Sequence, residues 1–201
     1  MKSTTKTIAL AGVMTALIFV LFVLETMFSS MLLTVSSCFL SLPLAITLSV
    51  YDIKSKGKMF LGGTIIGCSC LVTAFILGFI DFQNPLVSVL PRVLIGISAY
   101  WSAVLVKKLT EKSKNPFVQN VLPYSVAGLC GTITNTLFVT LMLRIFYVNK
   151  YVASVFEVFI VLNFPIEIVS SIILVPLYVM ALKKAGFGTH SLKGKNNVIN
   201  N

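Results

Sequence analysis

Six apolar runs dominate this sequence: residues 7–28, 31–50, 59–80, 85–106, 118–146 and 154–182. A helix needs roughly 20 such residues to cross a bilayer core of about 30 Å. Backbone N–H and C=O groups cannot be left unpaired in lipid, so runs of this length are expected to be helices. The expected fold is therefore an all-α integral membrane protein, a bundle of six transmembrane helices. The fifth and sixth runs are long enough to tilt or to be broken at Pro123 or Pro165. Only 11% of the residues are charged and 57% are hydrophobic, where a soluble domain carries about a quarter charged residues. Residues 1–184 read as one membrane domain and 185–201 as a flexible polar tail, with no room for a second soluble domain. Lys2 and Lys6 ahead of the first run resemble the start of a signal peptide. No small-residue cleavage site follows, and five further runs do, so a retained helix is expected.

Lysines alternate with these runs. Lys2 and Lys6, then Lys54, Lys56 and Lys58, then Lys107, Lys108, Lys112 and Lys114, and finally Lys183, Lys184, Lys193 and Lys195 fall on one side of a six-pass chain. The opposite breaks, at 25–30, 81–84 and 147–154, hold Lys150 and little else that is basic. The positive-inside rule then places both termini in the cytoplasm of a bacterial cell membrane. The net charge of +10 is accounted for by anionic headgroups at these breaks, so nucleic acid is not expected as a partner.

Catalytic and metal chemistry find little to work with. Cys38, Cys68, Cys70 and Cys130 lie inside apolar runs, no CxxC pair occurs, and His190 stands in the polar tail. These cysteines read as small buried hydrophobes, with no metal site expected. There is no GxxxxGK[ST] loop, HExxH or GxSxG motif, and no paired carboxylates or histidines suit intramembrane hydrolysis. The chain is not expected to be an enzyme or to carry a cofactor of its own.

A charge at the bilayer centre costs about 2.5–3.5 kcal/mol on insertion scales, so such residues face an interior. Arg92 lies about two turns into the fourth run, in the stretch Asn84-Pro-Leu-Val-Ser-Val-Leu-Pro-Arg92. Glu167 enters the sixth run from the same side, four residues after Asn163 and so on its helix face. The stretch Gly131-Thr132-Ile-Thr-Asn135-Thr136 brings hydroxyls and an amide to a similar depth in the fifth run. These groups can simply stitch helices together. Taken as a set they suit a ligand cavity, with Arg92 on a carboxylate and the amides on hydroxyl or amide groups. Arg144, near the end of the fifth run, is expected to snorkel to headgroups. In the first run Ala9, Gly12 and Ala16 form a face of small side chains that lets another helix approach, within this chain or in a partner.

The stretches Asn84-Pro-Leu-Val-Ser-Val-Leu-Pro-Arg92-Val-Leu-Ile-Gly96, Gly131-Thr-Ile-Thr-Asn-Thr136 and Asn163-x-x-x-Glu167, with the small face of the first run, resemble a known family. It is that of the substrate-binding (S) components of energy-coupling factor (ECF) transporters, which import vitamins into bacteria; the pantothenate-type branch is most similar. The resemblance implies a six-helix S-component fold holding the vitamin near the external face. It implies docking through Ala9, Gly12 and Ala16 to a transmembrane coupling subunit that carries two ATPases, which use the ATP. The family's alanine-rich face is only partly kept, since Gly12 and Thr15 stand where alanines would.

The expected function is capture of a small water-soluble vitamin, anionic and with pantothenate the best match. Arg92 would take its carboxylate; Asn84, Thr132, Asn135 and Asn163 would bind its polar groups, and Glu167 would orient Arg92 or accept a ligand hydroxyl. The alternative is a stand-alone proton-coupled secondary carrier with Glu167 as relay. A third possibility is a purely structural membrane subunit.

Overall fold

The computed structural model describes residues 2–31, 38–113, 115–147 and 164–187. Among these residues every regular element is helical: α1 (Lys2–Met31), α2 (Ser41–Val50), α3 (Leu61–Leu77), α4 (Pro85–Ser88), α5 (Leu90–Thr110), α6 (Pro116–Asn120), α7 (Leu122–Phe146) and α8 (Phe164–Lys184). Single 3₁₀ turns at Lys56–Phe60 and Ile80–Phe82 lead into α3 and towards α4. Five spans are long and apolar enough to cross a membrane: Ile8–Phe28, Lys56–Leu77, Pro85–Thr110, Phe117–Phe146 and Phe164–Lys184. The architecture is that of a helical multi-pass membrane protein.

The second apolar run departs from expectation. Its helix is α2, only ten residues long, or about 15 Å, half of a bilayer core; residues 32–37 lie outside the described part. All ten residues of α2 are buried. The helix is the axis of the bundle and packs against α1, α3, α5, α7 and α8, while α3–α5, α5–α7 and α7–α8 pack as neighbours around it. A second correction concerns the first break. Residues 25–30 were expected to form a loop, but α1 continues to Met31 and buries Glu25 within the bundle. The physical reason is that the Glu25 carboxylate has a helix end to bind, the N–H groups of Leu40 and Ser41.

Two spans are jointed in the same way. Asn84 caps α4, its Oδ1 accepting the Leu86 N–H at 3.0 Å, with Pro85 in the first turn. Asn115 caps α6 through the Phe117 N–H at 3.0 Å, with Pro116 in the first turn. Each short helix gives way after one residue, Val89 or Val121, to a long helix with a proline near its start, Pro91 or Pro123. A proline has no N–H to continue the ladder and its ring crowds the preceding turn, so both junctions bend. The break expected at Pro123 is therefore present, and the fourth run has a matching one. The sixth is described from Phe164, so its expected portion 154–163 lies outside the described residues. At the end of α3, Gly78 has φ 77°, and the Phe79 N–H returns to Ala74 O at 2.9 Å. That left-handed cap is one glycine adopts without strain.

α7 and α8 cross at close range. A Cβ on Gly128 would fall 2.5 Å from the Ser171 carbonyl oxygen, so no larger residue fits. With the backbones this close, the Thr132 and Ser171 hydroxyls share a hydrogen bond at 2.8 Å and Ser125 Oγ donates to Ile172 O at 3.0 Å. Small residues and interhelical hydroxyl bonds are what hold helices together where lipid removes the hydrophobic drive.

Candidate functional site

One apolar layer sets the depth of the polar groups. Ile46 of α2 and Ile95 of α5 both pack on Gly131 of α7, and the neighbouring Thr132 bonds Ser171 of α8. One helical turn away, towards the end where α1 stops and α8 starts, stand Ser41 on α2, Arg92 on α5, Asn135 on α7 and Glu167 on α8. Each lies three to five residues from its partner in the layer, which is the spacing of one turn. Thr132, fully buried, also donates to Gly128 O at 2.9 Å. Its hydroxyl is engaged in the helix contact below the site.

Glu167 lies in the first turn of α8 and is 5% exposed. Its Oε1 accepts the Cys38 backbone N–H at 3.1 Å, and the Asn135 amide also donates to its carboxylate. Glu25 of α1, equally buried, accepts at Oε1 from the Leu40 N–H (2.5 Å) and the Ser41 N–H (3.3 Å), and at Oε2 from the Ser41 hydroxyl. A carboxylate against the free N–H groups that open a helix is stabilised both by those bonds and by the helix dipole. Thus α1 and α8 each fasten the entry to the central helix through a carboxylate. Glu25 was read from the sequence as a loop residue. The only signal available was its position at the edge of an apolar run, and nothing in that run names Ser41 as its partner.

Arg92 is placed differently. It is 7% exposed, yet among the described residues it forms no ion pair, with Glu167 or any other carboxylate. Its Nη1 donates to the Val87 carbonyl at 2.9 Å, and the guanidinium stands over the Phe82 ring, 5.6 Å from the centroid. No other hydrogen bond from its five N–H donors is made among the described residues. The aromatic face and one carbonyl hold the fork in place while leaving donors unused among the described residues.

Of the other expected site residues, Asn84 serves α4 as its cap, and Asn163 lies outside the described residues. Ala9, Gly12 and Ala16 all lie exposed along α1, and no atom lies within 4 Å of a Cβ built on Gly12. Arg144 is exposed in the last turn of α7. No family model, curated protein or solved structure matches the chain.

Proposed function

We propose that this chain is the substrate-binding subunit of a membrane importer of the ECF type, capturing a small anionic vitamin such as pantothenate at the external face of a bacterial cell membrane. The observation that carries this reading is Arg92: a buried guanidinium with donors unused among the described residues, at one level with an amide and a carboxylate that are already positioned. A planar fork matches a carboxylate bidentately, and taking a cation out of water is costly unless something completes its bonds. Glu25 and Glu167 do not cancel that preference, since backbone N–H groups already hold them. Asn135 and the free lone pairs of Glu167 would then meet amide and hydroxyl groups of the solute. Asn84 and Thr132, occupied in capping and helix contact, are left out of the proposed set.

The exposed Ala9, Gly12 and Ala16 would dock on a transmembrane coupling subunit with two ATPases, which alone would use ATP; small side chains let another helix come close. The lysine-rich ends would face the cytoplasm, as would both termini. Purified chain in nanodiscs, titrated with a vitamin panel beginning with pantothenate, tests the reading. Sub-micromolar binding without ATP that disappears in Arg92→Ala supports it. Absence of binding from folded protein refutes it, and uptake by the isolated chain in ATP-free vesicles under a pH gradient replaces it with the carrier.

A further inference from the structure

The opposite, lysine-rich end of the bundle holds a second polar cluster that the proposed function does not use. Lys183, in the last turn of α8, donates from Nζ to the Tyr124 hydroxyl of α7 at 2.8 Å and sits 4.5 Å from the centre of that ring. Neither Lys183 nor Lys107 of α5 has a carboxylate partner among the described residues. Both are half-buried, and Lys107 lies within electrostatic reach of the Tyr124 phenol. Tyr124 is 2% exposed, and its hydroxyl accepts from Lys183 while donating to nothing described. The nearby acid, Asp52, is itself bridged by Lys58 at 2.8 Å. Lys183 of α8 and Lys107 of α5 thus both act on the Tyr124 phenol of α7, and Asp52, the acid within electrostatic reach of that phenol, is held by Lys58.

We propose that this corner binds the phosphate of an anionic phospholipid headgroup, with Lys183 and Lys107 as its cationic arms and the Tyr124 hydroxyl as a third donor. A basic pocket between helix ends at the headgroup level meets lipid phosphates before any other anion. Pinning Lys183 on the Tyr124 ring lowers the entropy lost when the phosphate arrives.

The test uses the full chain in nanodiscs of phosphatidylcholine, with or without phosphatidylglycerol, read by native mass spectrometry and thermal unfolding. Wild type should retain phosphatidylglycerol and unfold at a higher temperature with it present. Lys183→Gln and Lys107→Gln should each lower retention about fivefold, the effect of one lysine at a lipid surface, whereas exposed Lys184→Gln should not. Should Lys183→Gln fail to fold, Lys107→Gln decides alone. Equal retention by wild type and both variants overturns the site. Stabilisation of wild type by inorganic phosphate in pure phosphatidylcholine, matching that of phosphatidylglycerol, assigns the pocket to free phosphate and overturns the lipid. Vitamin binding does not enter any of these readouts.

Discussion

The two ends of the bundle handle buried charge in opposite ways. At the lysine-rich end, Asp52 and Lys58 are six residues apart and meet at 2.8 Å, with Tyr51 beneath the ammonium at 4.6 Å. At the other end Arg92 and Glu167, both more than nine-tenths buried, share a level but form no ion pair. Arg92 bonds the Val87 carbonyl, and Glu167 accepts from the Cys38 N–H and the Asn135 amide. A pair formed between residues six apart fastens a local connection. Charges held apart by separate helices leave capacity for something else, at a cost to the empty protein.

The largest expected effect follows from that contrast. Arg92→Ala should weaken vitamin binding by about 100-fold or more, the loss of a bidentate charge-assisted contact. Its thermal unfolding temperature should stay level or rise, because an incompletely bonded cation has been removed. Titration calorimetry and an unfolding scan on the same sample separate the two. A large fall in stability with binding intact would make Arg92 a strut and erase the difference between the ends.

Glu25 belongs to the same end but is fully engaged, so its removal should act on folding. Glu25→Ala frees the N–H groups of Leu40 and Ser41, a loss of about 2–3 kcal/mol for a charged cap. Glu25→Gln should recover part of this, since the amide oxygen still accepts. An unchanged unfolding midpoint in Glu25→Ala would show that α2 is seated by packing alone.

How far the sequence foretold this arrangement depends on what each pattern measures. Long apolar runs report the surroundings of a segment, and in lipid those surroundings force helices, so α1, α3, α5, α7 and α8 were legible. The same signal misled at α2, because a ten-residue helix buried on every side is as apolar as one that spans a membrane. Arg92, Asn135 and Glu167 could be placed at one level by counting turns from a common side. That Thr132 faces Ser171, or that Glu25 reaches Ser41, depends on how helices rotate against each other, which no run of apolar residues encodes.

A smaller effect is expected from the self-contained pair. Asp52→Ala leaves Lys58 without its acid at a partly exposed site, 20% for the lysine, and should cost about 1 kcal/mol. Vitamin affinity should not change, because the pair lies at the far end of the bundle from Arg92. A binding defect in folded Asp52→Ala would mean that the two ends communicate and would overturn their description as independent.

The smallest effect concerns Thr73 on α3, whose buried hydroxyl has no hydrogen-bond partner among the described residues. Other hydroxyls in this bundle settle on the carbonyl one turn back: Thr26 on Phe22, Thr47 on Pro43, Ser69 on Ile65 and Thr134 on Cys130. Thr73 does not use that escape, although Ser69 lies the same four residues behind it. Valine has the same shape without the hydroxyl, so Thr73→Val removes an unsatisfied group and opens no cavity. Stability should therefore stay within about 1 kcal/mol of wild type, with the sign towards stabilisation. A clear loss would mean that Thr73 has a partner such as an internal water, which is how a polar group is normally satisfied there.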